Sequence, residues 1–181
     1  VVTWEEQGPR SISFDELGRR AAQLAHALRS LGIDDDQRVA TFMWNNSAHM
    51  EAYLAVPAMG AVLHTLNIRL FPEQLVYIAE HAEDRVVIAD ASLLPLLVPL
   101  LARLTTVRHL IVVGATIDSI QAPESITVHQ YEALLAGRPE FFDWPEVDER
   151  SAAAMCYTSG TTRRVSCTRT ARFGSIACRS A

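Results

Sequence analysis

The stretch RVATFMWNNSAHMEAYLAVPAMGAVLHTL, residues 38–66, settles the architecture. Arg38 to Trp44 is an apolar, β-branched run of strand length. Asn45-Asn46-Ser47 then supplies side chains that cap a helix. That helix carries Met50, Tyr53, Leu54 and Val56 as far as Pro57 and Gly60, and Ala61 to Leu66 reads as a second strand. A strand, a crossover helix and another strand within so short a span is the unit of a parallel sheet. Working outward, the same alternation recurs. Ser13-Phe14-Asp15-Glu16 has the S-x-x-E form of a capping box, and Leu17, Ala21, Leu24, Leu28 and Leu31 follow at helical spacing up to Gly32. On the other side, Pro72 opens a helix running through His81, Arg85–Ala89 is a strand, Ser92–Leu104 a leucine-rich helix and Val107–Val113 a strand. Ala115–Thr127 is loop-like, Gln130–Ala136 a short helix, and Pro139–Arg150 a long acidic connector. The fold class expected is α/β, a parallel sheet flanked by helices.

Composition narrows the function by exclusion. The chain has 181 residues, 49% hydrophobic and 20% charged, which suits one globular domain. Its net charge of −5 offers nothing to nucleic acid. The most apolar segment, Leu93–Leu101, is broken by Pro95 and Pro99, so no transmembrane segment is expected. The expected location is the cytoplasm, either free or peripheral to a membrane. Every basic residue is arginine, so lysine chemistry is excluded. The charge is unevenly placed: residues 1–162 hold eleven arginines and all twenty-one acids, net −10, whereas residues 163–181 hold five arginines and no acid. Three cysteines in a chain of this size do not make a disulfide framework.

The last apolar run, Ala152 to Tyr157, leads straight into Thr158-Ser159-Gly160-Thr161-Thr162. Successive amides around a glycine form an anion-binding concavity, and hydroxyls add donors for phosphate oxygens. A turn at the carboxyl end of a parallel strand is also where open α/β sheets bind ligands. A Walker loop is excluded, since it needs a second glycine and a lysine after Gly160. Taken alone the string also fits an ordinary Ser/Thr turn; the buried-type strand feeding it favours the phosphate reading.

At these residues a resemblance takes hold. Tyr157-Thr158-Ser159-Gly160-Thr161-Thr162 resembles the opening of the Y-T-S-G-T-T-G-x-P-K-G phosphate loop of the adenylate-forming enzymes, which include acyl-CoA synthetases, luciferases and peptide-synthetase adenylation domains. Arg38–Asp90, with its A-V-P-x-x-G-A-V-L-H-T-x-N-x-R-L run, and Thr106–Gly114 look like the amino-terminal subdomain of medium- and long-chain fatty-acyl-CoA synthetases. The resemblance covers most of residues 3–162. It implies an incomplete adenylate-forming fold, with fatty acid, ATP, Mg²⁺ and coenzyme A as the reactants and cofactors of the family. A fatty carboxylate attacks the α-phosphate of ATP to give acyl-adenylate and pyrophosphate, and the coenzyme A thiol then displaces AMP. The hydroxyl loop of such enzymes holds the leaving phosphates with the metal. Thr158, Ser159, Gly160, Thr161 and Thr162 inherit that role, Thr158 being the hydroxyl placed near Mg²⁺.

The family pattern continues G-x-P-K-G, whereas this chain gives Arg163-Arg164-Val165. Pro-Lys-Gly-Val-Val-Tyr-Ser-His written as CCG AAG GGT GTC GTG TAC TCG CAC becomes, on loss of its first base, Arg-Arg-Val-Ser-Cys-Thr-Arg-Thr. That is residues 163–170 in order. The expectation is therefore a family segment over 1–162 and a frame-shifted, non-family tail over 163–181 without regular structure, since no apolar period is seen there. The chain as a whole is expected to be a truncated, inactive fatty-acyl-CoA synthetase. The alternative is a non-catalytic interaction or homodimerisation module using an apolar face left open by the cut. Among the histidines, His64 on an apolar strand is expected as a hydrogen-bonded core residue, His26, His49 and His81 as helix-surface or cap residues, and His109 and His129 as unrelated to each other.

Overall fold

The structure, a computed structural model, describes residues 1–5, 8–117, 120–158, 164–169 and 178–180. A hairpin of β1 (Val2–Glu5) and β2 (Gly8–Ser11) precedes α1 (Phe14–Ser30). Then come β3 (Arg38–Phe42), α2 (Ser47–Ala58), β4 (Val62–Thr65), α3 (Pro72–Ala82) and β5 (Val86–Asp90). The chain goes on through α4 (Leu94–Leu97), β6 (His109–Val113), β7 (Thr127–Gln130), α5 (Tyr131–Leu135), β8 (Ala152–Thr158), β9 (Arg164–Arg169) and β10 (Cys178–Ser180). The main sheet has the order β10-β9-β8-β4-β3-β5-β6-β7; the six strands from β8 to β7 are mutually parallel, and β9 and β10 are antiparallel to their neighbours. The expected α/β class and parallel sheet flanked by helices are therefore what the chain adopts.

Strand alternation divides the core into two. From β5, Val86 and Ile88 face a cluster with α1 and α2, including Leu24, Leu28, Val56 and Met59. Val87 and Ala89 face the opposite cluster with α3 and the leucine-rich segment, including Ile78, Leu97 and Leu101. A strand covered on both faces has no reason to alternate apolar with polar, which is why Val86–Ala89 is a continuous apolar run.

The helix boundaries follow their caps. The Ser13 hydroxyl accepts the Glu16 amide at 3.0 Å, and the Asn46 carboxamide oxygen accepts that of His49 at 3.0 Å. Gly60 closes α2 with φ +93°, and a Cβ there would stand 2.6 Å from Asp35 Oδ1, so no other residue fits without displacement. Asn46 also donates to Asp90 Oδ2 at 3.3 Å, tying the start of α2 to the end of β5. Asn46→Ala is expected to cost about 1–2 kcal/mol in urea denaturation, from the lost cap and the lost link. A midpoint unchanged from the parent would show that the cap carries no weight.

The structure corrects one expected helix and adds strands at the end of an expected loop and within the tail. The helix expected over Ser92–Leu104 is one α-turn, Leu94–Leu97, between 3₁₀ segments Ala91–Leu93 and Val98–Arg103. Pro95 and Pro99 have no N–H to give, so a continuous i→i−4 ladder cannot form. The loop expected over Ala115–Thr127 ends in β7, whose register against β6 pairs Leu110 with Val128. Within the tail Arg164–Arg169 forms β9 against β8 and Cys178–Ser180 forms β10 against β9, while residues 163, 170–177 and 181 lie outside the described residues. Val165 and Cys167 alternate with Ser166 and Thr168, a period-2 pattern too short to stand out among the arginines. Without β9, one side of β8 would be an edge of unpaired N–H and C=O groups, which can pair with almost any extended segment.

Candidate functional site

Thr158 is the last residue of β8, at the carboxyl end of the parallel strands. Open α/β sheets bind ligands at this end of their strands. Ser159, Gly160, Thr161 and Thr162, the other residues assigned to the loop, lie outside the described residues. The residue before Thr158 is well anchored. Tyr157 Oη stands 2.5 Å from His81 Nδ1, and its ring lies 5.4 Å from that of His64. Tyr77, one turn earlier on α3, stacks on His81 with centroids 5.5 Å apart.

His64 is fully buried, as expected of a core histidine, and its Nδ1 lies 2.9 Å from both oxygens of Asp84, also fully buried. His64 Nε2 has no hydrogen-bond partner among the described residues. Burial raises the Asp84 carboxyl above its ordinary range, with the His64 hydrogen bond opposing the shift. His49 is a correction: it is buried, its Nε2 3.0 Å from Thr41 Oγ1 and its Nδ1 3.2 Å from the Trp44 carbonyl. Burial lowers its pKa. His109 and His129 are a second correction, since Nδ1 and Nε2 meet at 3.2 Å. They sit on adjacent strands, and the β6–β7 register that sets Ile111 opposite His129 brings the rings together. Among the described residues no group of three His, Cys, Asp or Glu side chains could hold a metal ion, and no helix is long and apolar enough to cross a membrane.

A separate crevice opens where the sheet changes direction. From β3 the chain leaves through α2 toward β4; from β5, its neighbour on the other side, it leaves through α4 toward β6. Such a switch point leaves a gap outside the carboxyl ends of the two strands. Here it is a cavity of about 560 Å³ bordered by Trp44, Asn46, Asp90 and Ser92, with Trp4 and Arg10 from the hairpin at its mouth. Trp44 Nε1 donates to Ser92 Oγ at 3.0 Å, and Ser92 Oγ donates to Asp90 Oδ1 at 2.7 Å, so the rim is preorganised.

The wall of this crevice holds a charged network that sequence reasoning missed. Arg20 Nε donates to Glu51 Oε1 at 2.7 Å, its terminal nitrogens to both oxygens of Glu132 at 2.7 and 3.0 Å, and Tyr131 Oη donates to Glu51 Oε2 at 2.6 Å. Burial alone would lower the Arg20 pKa; its bonds to Glu132 and Glu51 outweigh that and raise it. Burial, reinforced by the Glu51 charge, raises the Tyr131 phenol well above its usual range. Glu51 gave no local signal, because the face of α2 that is buried carries Ala48, Ala52 and Ala55, while Met50, Tyr53 and Leu54 are exposed.

Comparison with known proteins bears on the fold and the family. The model of the AMP-binding enzyme family matches residues 1–164. The 3-methylmercaptopropionyl-CoA ligase of Ruegeria pomeroyi is 43% identical over 157 residues, 87% of this chain and 29% of that protein. The medium-chain-fatty-acid–CoA ligase of Ectopseudomonas oleovorans is 40% identical over 165 residues, 90% of this chain and 30% of that protein. The chain thus spans about three-tenths of the length of these curated relatives. Among solved structures, the anthranilate CoA ligase AuaEII in complex with anthranoyl-AMP superposes with a TM-score of 0.80 at 20% identity, over 89% of this chain and 30% of that one. At that identity the likeness speaks for the fold alone, but with the family match over residues 1–164 the conclusion is plain: the chain belongs to the AMP-binding enzyme family.

Proposed function

We propose that this chain carries the pyrophosphate-side loop of an acyl-CoA ligase acting on fatty acids. The observation that supports the reading is the position of Thr158 at the carboxyl end of a parallel strand, immediately before Ser159-Gly160-Thr161-Thr162, in an AMP-binding chain. In the whole ligase a carboxylate oxygen attacks the α-phosphorus of ATP, the bond to the β-phosphate bridge breaks, and pyrophosphate leaves. The coenzyme A thiolate then attacks the acyl carbon and AMP leaves. Backbone amides and hydroxyls from Thr158 to Thr162 would stabilise the negative charge gathering on the departing phosphates; Mg²⁺, when bound, would supply further charge neutralisation, with Thr158 the residue chosen to help hold it. Arg163 onward is, on this reading, the product of a shifted frame. Coding DNA that continues Y-S-H in the adjacent frame after codon 162 supports it, and DNA without such a frame refutes it.

The isolated chain is expected to show no acid-dependent ATP–pyrophosphate exchange, because it spans only about three-tenths of its relatives. Exchange above a Thr161→Ala/Thr162→Ala control would contradict this. A chimera in which residues 1–162 replace the matching segment of the Ectopseudomonas oleovorans ligase tests the loop itself. It is expected to regain exchange and to lose roughly 10²-fold on the same double substitution. The interaction-module alternative draws on Val2, Trp4, Trp44, Met50 and Tyr53, all exposed and bordering two neighbouring cavities. Sedimentation over a concentration series decides it: a monomer throughout removes the homodimer.

A further inference from the structure

The carboxyl end of β8 outruns its parallel neighbour. The β8–β4 ladder pairs Leu63 with Ala154 and His64 with Met155, and β4 ends at Thr65, so Tyr157 and Thr158 project past that ladder. On the other side both are paired with β9, Tyr157 opposite Val165 and Thr158 opposite Arg164, and on the β4 side their position has to come from side chains. Tyr157 meets two of them, His81 through its hydroxyl at 2.5 Å and His64 through its ring at 5.4 Å.

Both contacts are themselves braced. His81 lies in the last turn of α3 and is stacked by Tyr77. His64 is held in plane by both Asp84 oxygens, and Asp84 directly follows the left-handed residue, Glu83, that ends α3. An apolar pair at positions 64 and 84 would fill the same space without leaving a buried nitrogen unpaired, at lower cost. What an imidazole adds is a flat ring, fixed by Asp84, on the flank of the Tyr157 ring.

We propose that Tyr157, His81 and the buried His64–Asp84 pair form a strut from α3 to β8 that holds the carboxyl end of β8, Tyr157 and Thr158, on the side facing β4. These are positioning residues for the hydroxyl loop, and the proposal rests on the phosphate reading of that loop. The phenol hydroxyl donates to Nδ1 when that nitrogen carries a lone pair, and Nδ1–H donates to the phenol oxygen when it is protonated.

The test uses the whole 181-residue chain with Tyr157→Phe, His81→Ala and His81→Asn, whose amide oxygen can replace the Nδ1 acceptor. Amide exchange at Tyr157 and Thr158 is expected to rise about five- to tenfold in Tyr157→Phe and His81→Ala, while β3, β5 and β6 keep their protection. His81→Asn should return exchange to within about twofold of the parent. The ¹⁵N shift of His81 Nδ1 should move in Tyr157→Phe, a signature that general loosening does not produce. Unchanged exchange at Tyr157 and Thr158, or a rise spread evenly over the sheet, overturns the strut. Mg·ATP titration of the same samples separates the two readings. A parent chain that shows no Mg·ATP-dependent shift near Thr158 removes support from the phosphate reading in this chain, whereas the exchange result alone decides the strut.

Discussion

Replacing Glu51 with leucine is expected to lower the stability of the chain by about 3–5 kcal/mol. Glu51 is 1% exposed, yet its carboxylate accepts hydrogen bonds from the Arg20 guanidinium and the Tyr131 hydroxyl. Leucine would take from the half-buried guanidinium one of its two carboxylate partners, leaving it Glu132, and would leave a fully buried phenol without its acceptor. A domain of this size has about 5–15 kcal/mol in total, so the variant should be close to unfolded at 37 °C. Equilibrium urea denaturation measures it; a loss below about 1 kcal/mol would show that the network contributes no more than a surface ion pair. Tyr131→Phe is the milder control, costing about 1–3 kcal/mol. It also tests the phenol's raised pKa. The folded state holds the Tyr131 proton where the unfolded chain, titrating near 10, releases it. The native form therefore binds more protons above that pH, and stability falls as pH rises through it. In Tyr131→Phe that part of the alkaline loss should vanish.

The second large effect concerns His64 and Asp84. Asp84→Ala is expected to cost about 3–5 kcal/mol, because it leaves a fully buried imidazole with neither ring nitrogen bonded. The double variant His64→Leu/Asp84→Leu should recover most of this and come within about 1 kcal/mol of the parent, since an apolar pair needs no compensation in a dry interior. A double variant as unstable as Asp84→Ala would mean that packing volume, not the unpaired nitrogen, sets the cost. Recovery of stability without recovery of slow exchange at Thr158 would separate the pair's contribution to folding from its place in the strut.

Much of this protein was written locally. Apolar runs at Arg38–Phe42, Val62–Thr65 and Val86–Ala89 are strands, and Ser13, Asn46 and Pro72 start helices, because periodicity and capping act between residues a few positions apart. The hydroxyl string after Tyr157 was legible for the same reason: its residue types are adjacent in sequence. Tertiary structure decided the rest. Arg20 and Glu132 are 112 positions apart, His81 and Tyr157 are 76, and nothing in either neighbourhood names its partner. His109 and His129 read as unrelated because their meeting depends on the register of two strands, a property of the sheet and of neither segment. The tail looked structureless on its own composition and gained a strand from the open side of β8. Propensity and pattern are short-ranged, whereas a buried charge, a crevice at a switch point and a strand's partner are fixed only once the chain has closed on itself.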